Sequence, residues 1–171
     1  MHLIGNGTLI TRNSIKSLIF DGAVVIEADT IIDYGKTSEM KGKYKDAQFT
    51  DAQNKVIMPG LLNTHMHIYS AFARGMVLLD GKISKNFSQV LENLWWRVDR
   101  TLSLEDIKYS AYATYIDSIK NGVTTVYDHH ASQNDIESSL FTIKDVAANL
   151  GIRTSLCYEV TDRDGKAAAK R

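Results

Sequence analysis

The residues best suited to chemistry are His65 and His67, one residue apart in "NTHMHIYSAFARGM", just beyond the chain's single proline, Pro59. Residues two apart on a strand point to the same face, with Cα atoms about 6.6 Å apart. Two imidazoles placed so can converge on one cation at Zn–N distances of about 2.0–2.1 Å. Taken alone, H-x-H is a weak motif, and two packed or surface histidines are its more common explanation. A second histidine pair, His129 and His130, ends "NGVTTVYDHHAS". Adjacent strand residues face opposite ways, so at most one of these two points towards a site shared with His65 and His67. An inward one could contact substrate, or complete a three-histidine zinc site of the kind catalytic zinc uses. A loop histidine without function is the plain alternative.

The elements that must position these groups change character at Pro59-Gly60. Upstream, "GTLIT", "LIFDGAVVIEADTIIDYG", "AQFTDA" and "KVIMPG" are β-branched runs, with a turn at Ala28-Asp29 and a charged connector, "KGKYKDAQ". Residues 1–58 therefore predict a small antiparallel sheet layer. Downstream, "LLNTHMH" has the form of a short buried strand. Phe87, Val90, Leu91, Leu94, Trp95 and Val98 recur at helical spacing, which makes Trp95 and Trp96 helix-packing residues. Ser103 with Asp106 forms a capping box for a helix whose face is Leu104, Ile107, Ala111, Tyr115 and Ile119, stopped at Asn121-Gly122. "VTTVYD" follows as a strand. Asp135 can cap a third helix through Ile136, Leu140, Ile143, Ala147 and Leu150, stopped by Gly151, before the strand "IRTSLCYEV" and a charged end. Strands alternating with helices imply right-handed crossovers and a parallel sheet, here an α/β unit over residues 59–171 that three strands leave incomplete.

Bulk properties narrow the function classes. Twenty basic and twenty acidic residues balance, so no net field recruits nucleic acid or an anionic membrane surface. No apolar run reaches the roughly 18 residues of a membrane span, and the start lacks the basic and apolar regions of a signal peptide. Cys157, the single cysteine, forms no internal disulfide, and its apolar run suggests buried packing. These features suit a cytoplasmic protein.

The run "VIMPGLLNTHMH" resembles the signature of the amidohydrolase superfamily: an apolar strand, Pro-Gly, a short strand, then H-x-H. "YSAFARGM", "LWWRVDRTLS", "NGVTTVYDHHAS" and "LGIRTSLCYEVTDRDG" extend the resemblance over the whole chain, to SsnA-like aminohydrolases beside the chlorohydrolase and deaminase branch. The resemblance implies an incomplete (β/α)8 TIM-type barrel, its first three strands, preceded by part of a small β-sandwich. A full barrel takes about 250 residues. It further implies that His65 and His67 are metal ligands and that the remaining ligands, with the general acid and base, lie beyond Arg171. On that basis no catalytic acid or base is assigned within the chain. The cofactor expected is a divalent metal, zinc foremost with iron as the alternative.

The chemistry implied is hydrolysis of a non-peptide carbon–nitrogen bond in a small molecule, the deamination of an amino-heterocycle or amidine-like carbon. Asp99 matches the position where related deaminases carry a substrate-binding glutamate, and a helix-end surface carboxylate is its alternative. Tyr69 and Arg74 follow the histidine strand, where first-loop residues meet substrate. Glu159, with Asp162 and Arg163 beside it, follows the third strand at the same end. Tyr69, Arg74, Asp99, His129, His130 and Glu159 are thus the candidate substrate-binding residues. A half-barrel exposes apolar surface and unpaired strand edges, so homo-oligomerisation, or association with the missing C-terminal half, is expected. An isolated chain of this kind is expected to be inactive. A different class of function, a complete non-catalytic oligomeric binding module, is the alternative.

Overall fold

A computed structural model describes residues 1–76, 81, 83–167 and 169; part of the charged end, at 168, 170 and 171, lies outside the described residues. The chain divides into two compact units, Met1–Pro59 and Gly60–Arg171.

In the first unit, strands β1 (His2–Ile10), β2 (Leu18–Glu27) and β3 (Thr30–Lys36) form an antiparallel meander. Ala28, at φ +52°, helps turn the β2–β3 hairpin where no glycine is available. Strands β4 (Gln48–Asp51) and β5 (Val56–Ile57) both join β1 in parallel, so the sheet is mixed rather than antiparallel throughout. The cause is helix α1 (Thr37–Lys43), which occupies part of the charged connector. It returns the chain to the starting end of the sheet and buries Met40 with Leu3, Ala23 and Val25.

The second unit holds a three-stranded parallel sheet, in the order β6 (Leu61–Met66), β7 (Val123–His130) and β8 (Arg153–Tyr158). Gly60 is required where the chain enters β6, because a Cβ there would lie 2.2 Å from the Thr124 side chain. After β6 come a 3-10 turn, Ile68–Ala73, and then a helical stretch. The helical stretch begins as α2 (Phe87–Val90), widens to a π-turn over Leu91–Trp95, and resumes as α3 (Trp96–Asp99). Helix α4 (Leu104–Lys120) starts at the Ser103–Asp106 capping box and stops at Gly122, whose φ of +77° suits glycine.

Helix α5 (Ser139–Leu150) begins three residues later than its apolar face suggests, and Asp135 does not cap it. Its carboxylate accepts from the Leu104 N–H instead, at 3.1 Å, and so caps α4. Ile68, Ile107, Ala111, Tyr115, Val126, Ile143 and Val146 form the core between α4, α5 and one sheet face. Each such large side chain contributes about 1.5–3 kcal/mol on burial. Tyr115 is buried and donates to Thr154 Oγ1 at 2.7 Å, tying α4 to β8. Cys157 is exposed, not buried, because it falls on the face of β8 away from the helices. No helix among the described residues is long and apolar enough to cross a membrane.

Candidate functional site

The C-terminal ends of the three parallel strands bring together most of the residues singled out by sequence. His65 lies on β6 and His67 one residue past its end, where backbone φ −129° and ψ 84° start the turn. Their Nε2 atoms stand 3.2 Å apart. Two nitrogens bound at 2.0–2.1 Å to one tetrahedral cation lie about 3.3 Å apart, so the pair has the spacing such an ion requires. The Nδ1 of His67 is 3.0 Å from the backbone carbonyl of His129. A carbonyl can only accept, so Nδ1 carries the proton and Nε2 keeps its lone pair directed at His65. This is the tautomer a ligating histidine needs, fixed by a neighbour in the way metal sites usually fix it. Among the described residues no group of three or more histidine, cysteine or carboxylate side chains could hold a metal. The three-histidine set is therefore not assembled here, although the His67 and His129 rings lie 5.6 Å apart.

Strand alternation separates the second histidine pair. His129 is exposed on the face away from the helices, in a shallow cleft with His65, Tyr127, Ser155 and Cys157. His130 is fully buried on the helix side, following Val126 and Asp128. Burial pushes its pKa down to about 4, with the His129 charge acting in the same direction, so it stays neutral. Burial likewise pushes Asp128 up to about 6, opposed by a hydrogen bond from the Ile68 N–H and by the nearby His67 imidazole.

Asp99 is not a surface carboxylate. It is 1% exposed and accepts from Arg163 Nη2 at 2.5 Å, and Arg163 Nε approaches Glu159 at 3.3 Å. The next residue on each segment repeats the pairing with signs exchanged, Arg100 Nη2 to Asp164 at 2.7 Å. The guanidinium of Arg163 also stacks over Trp96, 5.2 Å from the ring centroid. The segment after β8 is thereby clasped to the end of α3. Burial is the main cause that raises the Asp99 pKa, offset by the hydrogen bond and charge of Arg163.

Tyr69 sits between this cluster and the histidines, with its ring centroid 6.0 Å from both His67 and His130. Burial, then the negative charges of Asp99 and Glu159, push its hydroxyl up to about 12, so it is a proton donor over the physiological range. Arg74 lies apart on the surface, 3.5 Å from Asp117, yet it shares with His65, His67, Ser70 and Trp95 the wall of a cavity of about 330 Å³. Trp95 thus lines a cavity while Trp96 packs. Sequence reasoning missed Asp128, and it placed Arg163 at this end without its pairing to Asp99. The available signals were the polar residues at Val126 spacing in "VYDHH" and the inverse dipeptides Asp99-Arg100 and Arg163-Asp164.

The fold and sequence have clear counterparts. The chain superimposes on E. coli guanine deaminase with a TM-score of 0.75 at 19% identity, covering 99% of this chain and 40% of that one. A mutant atrazine chlorohydrolase from Arthrobacter aurescens TC1, complexed with zinc and atraton, gives 0.73 at 24% identity, covering 92% and 35%. The 5-methylthioadenosine/S-adenosylhomocysteine deaminase of Thermodesulfovibrio yellowstonii is 31% identical over 90% of this chain and 33% of its own length. The 5'-deoxyadenosine deaminase of Methanosarcina barkeri is 29% identical over 91% and 32%. The chain thus spans about a third of the length of the curated relatives it matches. The sequence pattern of the Amidohydrolase family matches residues 56–171, and the chain belongs to that family.

Proposed function

We propose that residues 59–171 are the first three β/α units of a metal-dependent (β/α)8 hydrolase barrel and that residues 1–58 contribute to its small β-sandwich. The reaction is hydrolytic deamination of a small amino-heterocycle, in keeping with the deaminase names of the relatives. The observation that carries this reading is the His65–His67 pair, with Nε2 atoms 3.2 Å apart and His67 Nδ1 anchored on the His129 carbonyl.

When bound, a divalent cation, zinc foremost, supplies an acidified water able to attack an sp² carbon bearing nitrogen. His65 and His67 are the residues that would hold that cation, and the His129 carbonyl keeps the His67 ring in the tautomer that leaves Nε2 free. The remaining ligands and the general acid and base come from outside these 171 residues. Tyr69 offers a proton-bearing hydroxyl beside the pair, Arg74 shares a cavity wall with both histidines, His129 shares a cleft with His65, and Glu159 follows β8 at the same strand end. Asp99 and His130, both buried, hold their neighbours in place. The trapped ring's edge and the leaving amine would meet Tyr69 and Glu159, which can donate and accept hydrogen bonds respectively.

Zinc titration of the chain, followed by histidine NMR signals, tests the ligand assignment. Zinc should perturb His65 and His67 first, and the double variant His65→Ala/His67→Ala should abolish the effect. Zinc binding that survives the double substitution overturns the assignment. The chain alone should hydrolyse no amino-heterocycle, and chelator-sensitive ammonia release by the purified 171 residues would refute the proposed division of the site.

A further inference from the structure

Strand β7 grips the end of β6 at two consecutive residues. His129 does so with its carbonyl, on the ring of His67. Asp128 does so with its side chain: Oδ1 accepts from the Ile68 N–H at 2.7 Å, and that N–H belongs to the peptide joining His67 to Ile68. Ile68 is fully buried, so this peptide has no water to turn to.

The rest of the Asp128 environment shows what the carboxylate is not doing. Its Oδ2 has no hydrogen-bond partner and faces His130 Nδ1, also without one, at 3.9 Å. Ser132 Oγ donates its single proton to the Asp135 carbonyl at 2.8 Å, so it must accept from His130 Nε2 at 3.0 Å. The neutral His130 ring therefore bears its proton on the side away from Asp128 and offers Asp128 only a lone pair. The one hydrogen bond the carboxyl group makes here is to the Ile68 N–H, so its structural role is to hold the 67–68 peptide, which an apolar residue of similar size would leave without an acceptor.

We propose that Asp128 is a positioning residue for His67: by holding the peptide that leaves the histidine, it sets the direction in which β6 ends and the ring's approach to the His129 carbonyl. Its purpose for metal binding rests on the assignment of His67 as a ligand, but its hold on the ring does not. With the peptide 67–68 released, the His67 Nδ1 bond to His129 loses its fixed geometry, and both tautomers become populated.

The test uses the 171-residue chain with 15N-labelled histidine. In the unmutated chain His67 should show a protonated Nδ1 and an unprotonated Nε2, and the Ile68 amide should resist hydrogen exchange. Asp128→Ala should mix the His67 tautomers and weaken zinc binding by about 10–100-fold, the usual loss for an outer-shell partner. Asp128→Asn retains an acceptor oxygen and should keep both the tautomer and the zinc affinity. Ser132→Ala removes the partner of the neighbouring buried His130 and should lower stability while leaving His67 and zinc binding unchanged. An unaltered His67 pattern in Asp128→Ala, or an equal change in Ser132→Ala, overturns the proposal. A rapidly exchanging Ile68 amide in the unmutated chain overturns it without any variant. If the chain takes up no zinc, the ligand assignment fails while the tautomer comparison still decides the role of Asp128.

Discussion

Removing one partner of the Asp99–Arg163 pair should be among the most damaging single changes available in the second unit. Asp99 and Arg163 have side chains 1% and 8% exposed, so neither charge can recover its hydration once the other is gone. Breaking a buried ion pair from one side costs about 3–5 kcal/mol, since an uncompensated charge stays behind. Arg163→Met keeps an apolar side chain over Trp96 and isolates the electrostatic loss. For a chain of this size that loss lowers the melting temperature by about 10 °C. Asp99→Leu/Arg163→Met removes both charges and should return to within about 1 kcal/mol of the parent, because buried pairs are often replaceable by packed apolar residues. Arg100→Ala serves as the control. Its pair with Asp164 is 40% and 26% exposed, and it should cost under about 1 kcal/mol.

Urea denaturation followed by circular dichroism and tryptophan fluorescence measures these three variants together with the single Asp99→Leu. The pH response adds a second criterion. Burial already holds the folded-state pKa of Asp99 above its ordinary value, and loss of Arg163 removes what opposes that rise. A carboxyl group with a raised folded pKa favours the folded state below its unfolded pKa and loses that advantage as pH rises through the folded value. The Arg163→Met deficit should therefore shrink on acidification. A cost under about 1 kcal/mol, or a double variant as unstable as the two singles combined, would refute the account of Asp99 as a buried partner.

Three other outcomes follow from the structure. Ser103→Ala removes one half of the α4 capping box and should cost about 1 kcal/mol by the same denaturation assay; the Asp135 bond to Leu104 limits the loss to that one cap. Tyr115→Phe deletes the bond to Thr154 and should cost about 1 kcal/mol at neutral pH. Because burial raises Tyr115 to about 12, the folded state resists its ionisation and stability falls as pH rises above the ordinary tyrosine value; the phenylalanine variant should show a shallower alkaline decline. Cys157 should react with a thiol reagent in the folded chain, and protection equal to that of a core cysteine would contradict its exposure.

What was legible in the sequence was periodic or capped. The Ser103–Asp106 box, the Asn121-Gly122 stop and the two-residue spacing of His65 and His67 each depend on neighbours in the chain, and each is found in the structure. The partners of Asp99 and Asp135 were not legible, because their contacts are made 64 and 31 residues away. Asp135 shows the limit well. Its distance from an apolar helical run suits a cap on α5, yet the open N–H it meets belongs to Leu104, brought near by the packing of α4 beside α5. Cys157 was misjudged for a related reason. An apolar run implies two buried faces only when layers cover both, and one face of β8 is bare among the described residues.

The two buried clusters, one below the histidines and one after β8, have a physical relation that neither shows alone. Among the described residues, six buried side-chain atoms have no hydrogen-bond partner; five belong to Asp99, Asp128, His130 and Arg163, and the sixth is Ser110 Oγ. A core selected for stability alone would replace such groups with apolar ones. All four residues surround Tyr69: Asp99, Arg163 and Asp128 act on it through their charges, and His130 through its ring. Five of the unpartnered buried atoms among the described residues are therefore gathered at one strand end, beside the histidine pair, whereas the Tyr115 hydroxyl at the helix interface and Arg153 at the opposite strand end have hydrogen-bond partners. Local choices that conflict with the fold are expected to persist where they hold functional groups in position. On this argument Tyr69, rather than either buried acid, is the residue through which the clasp after β8 and the grip of β7 meet. Its hydroxyl is where a change in either cluster should first be felt.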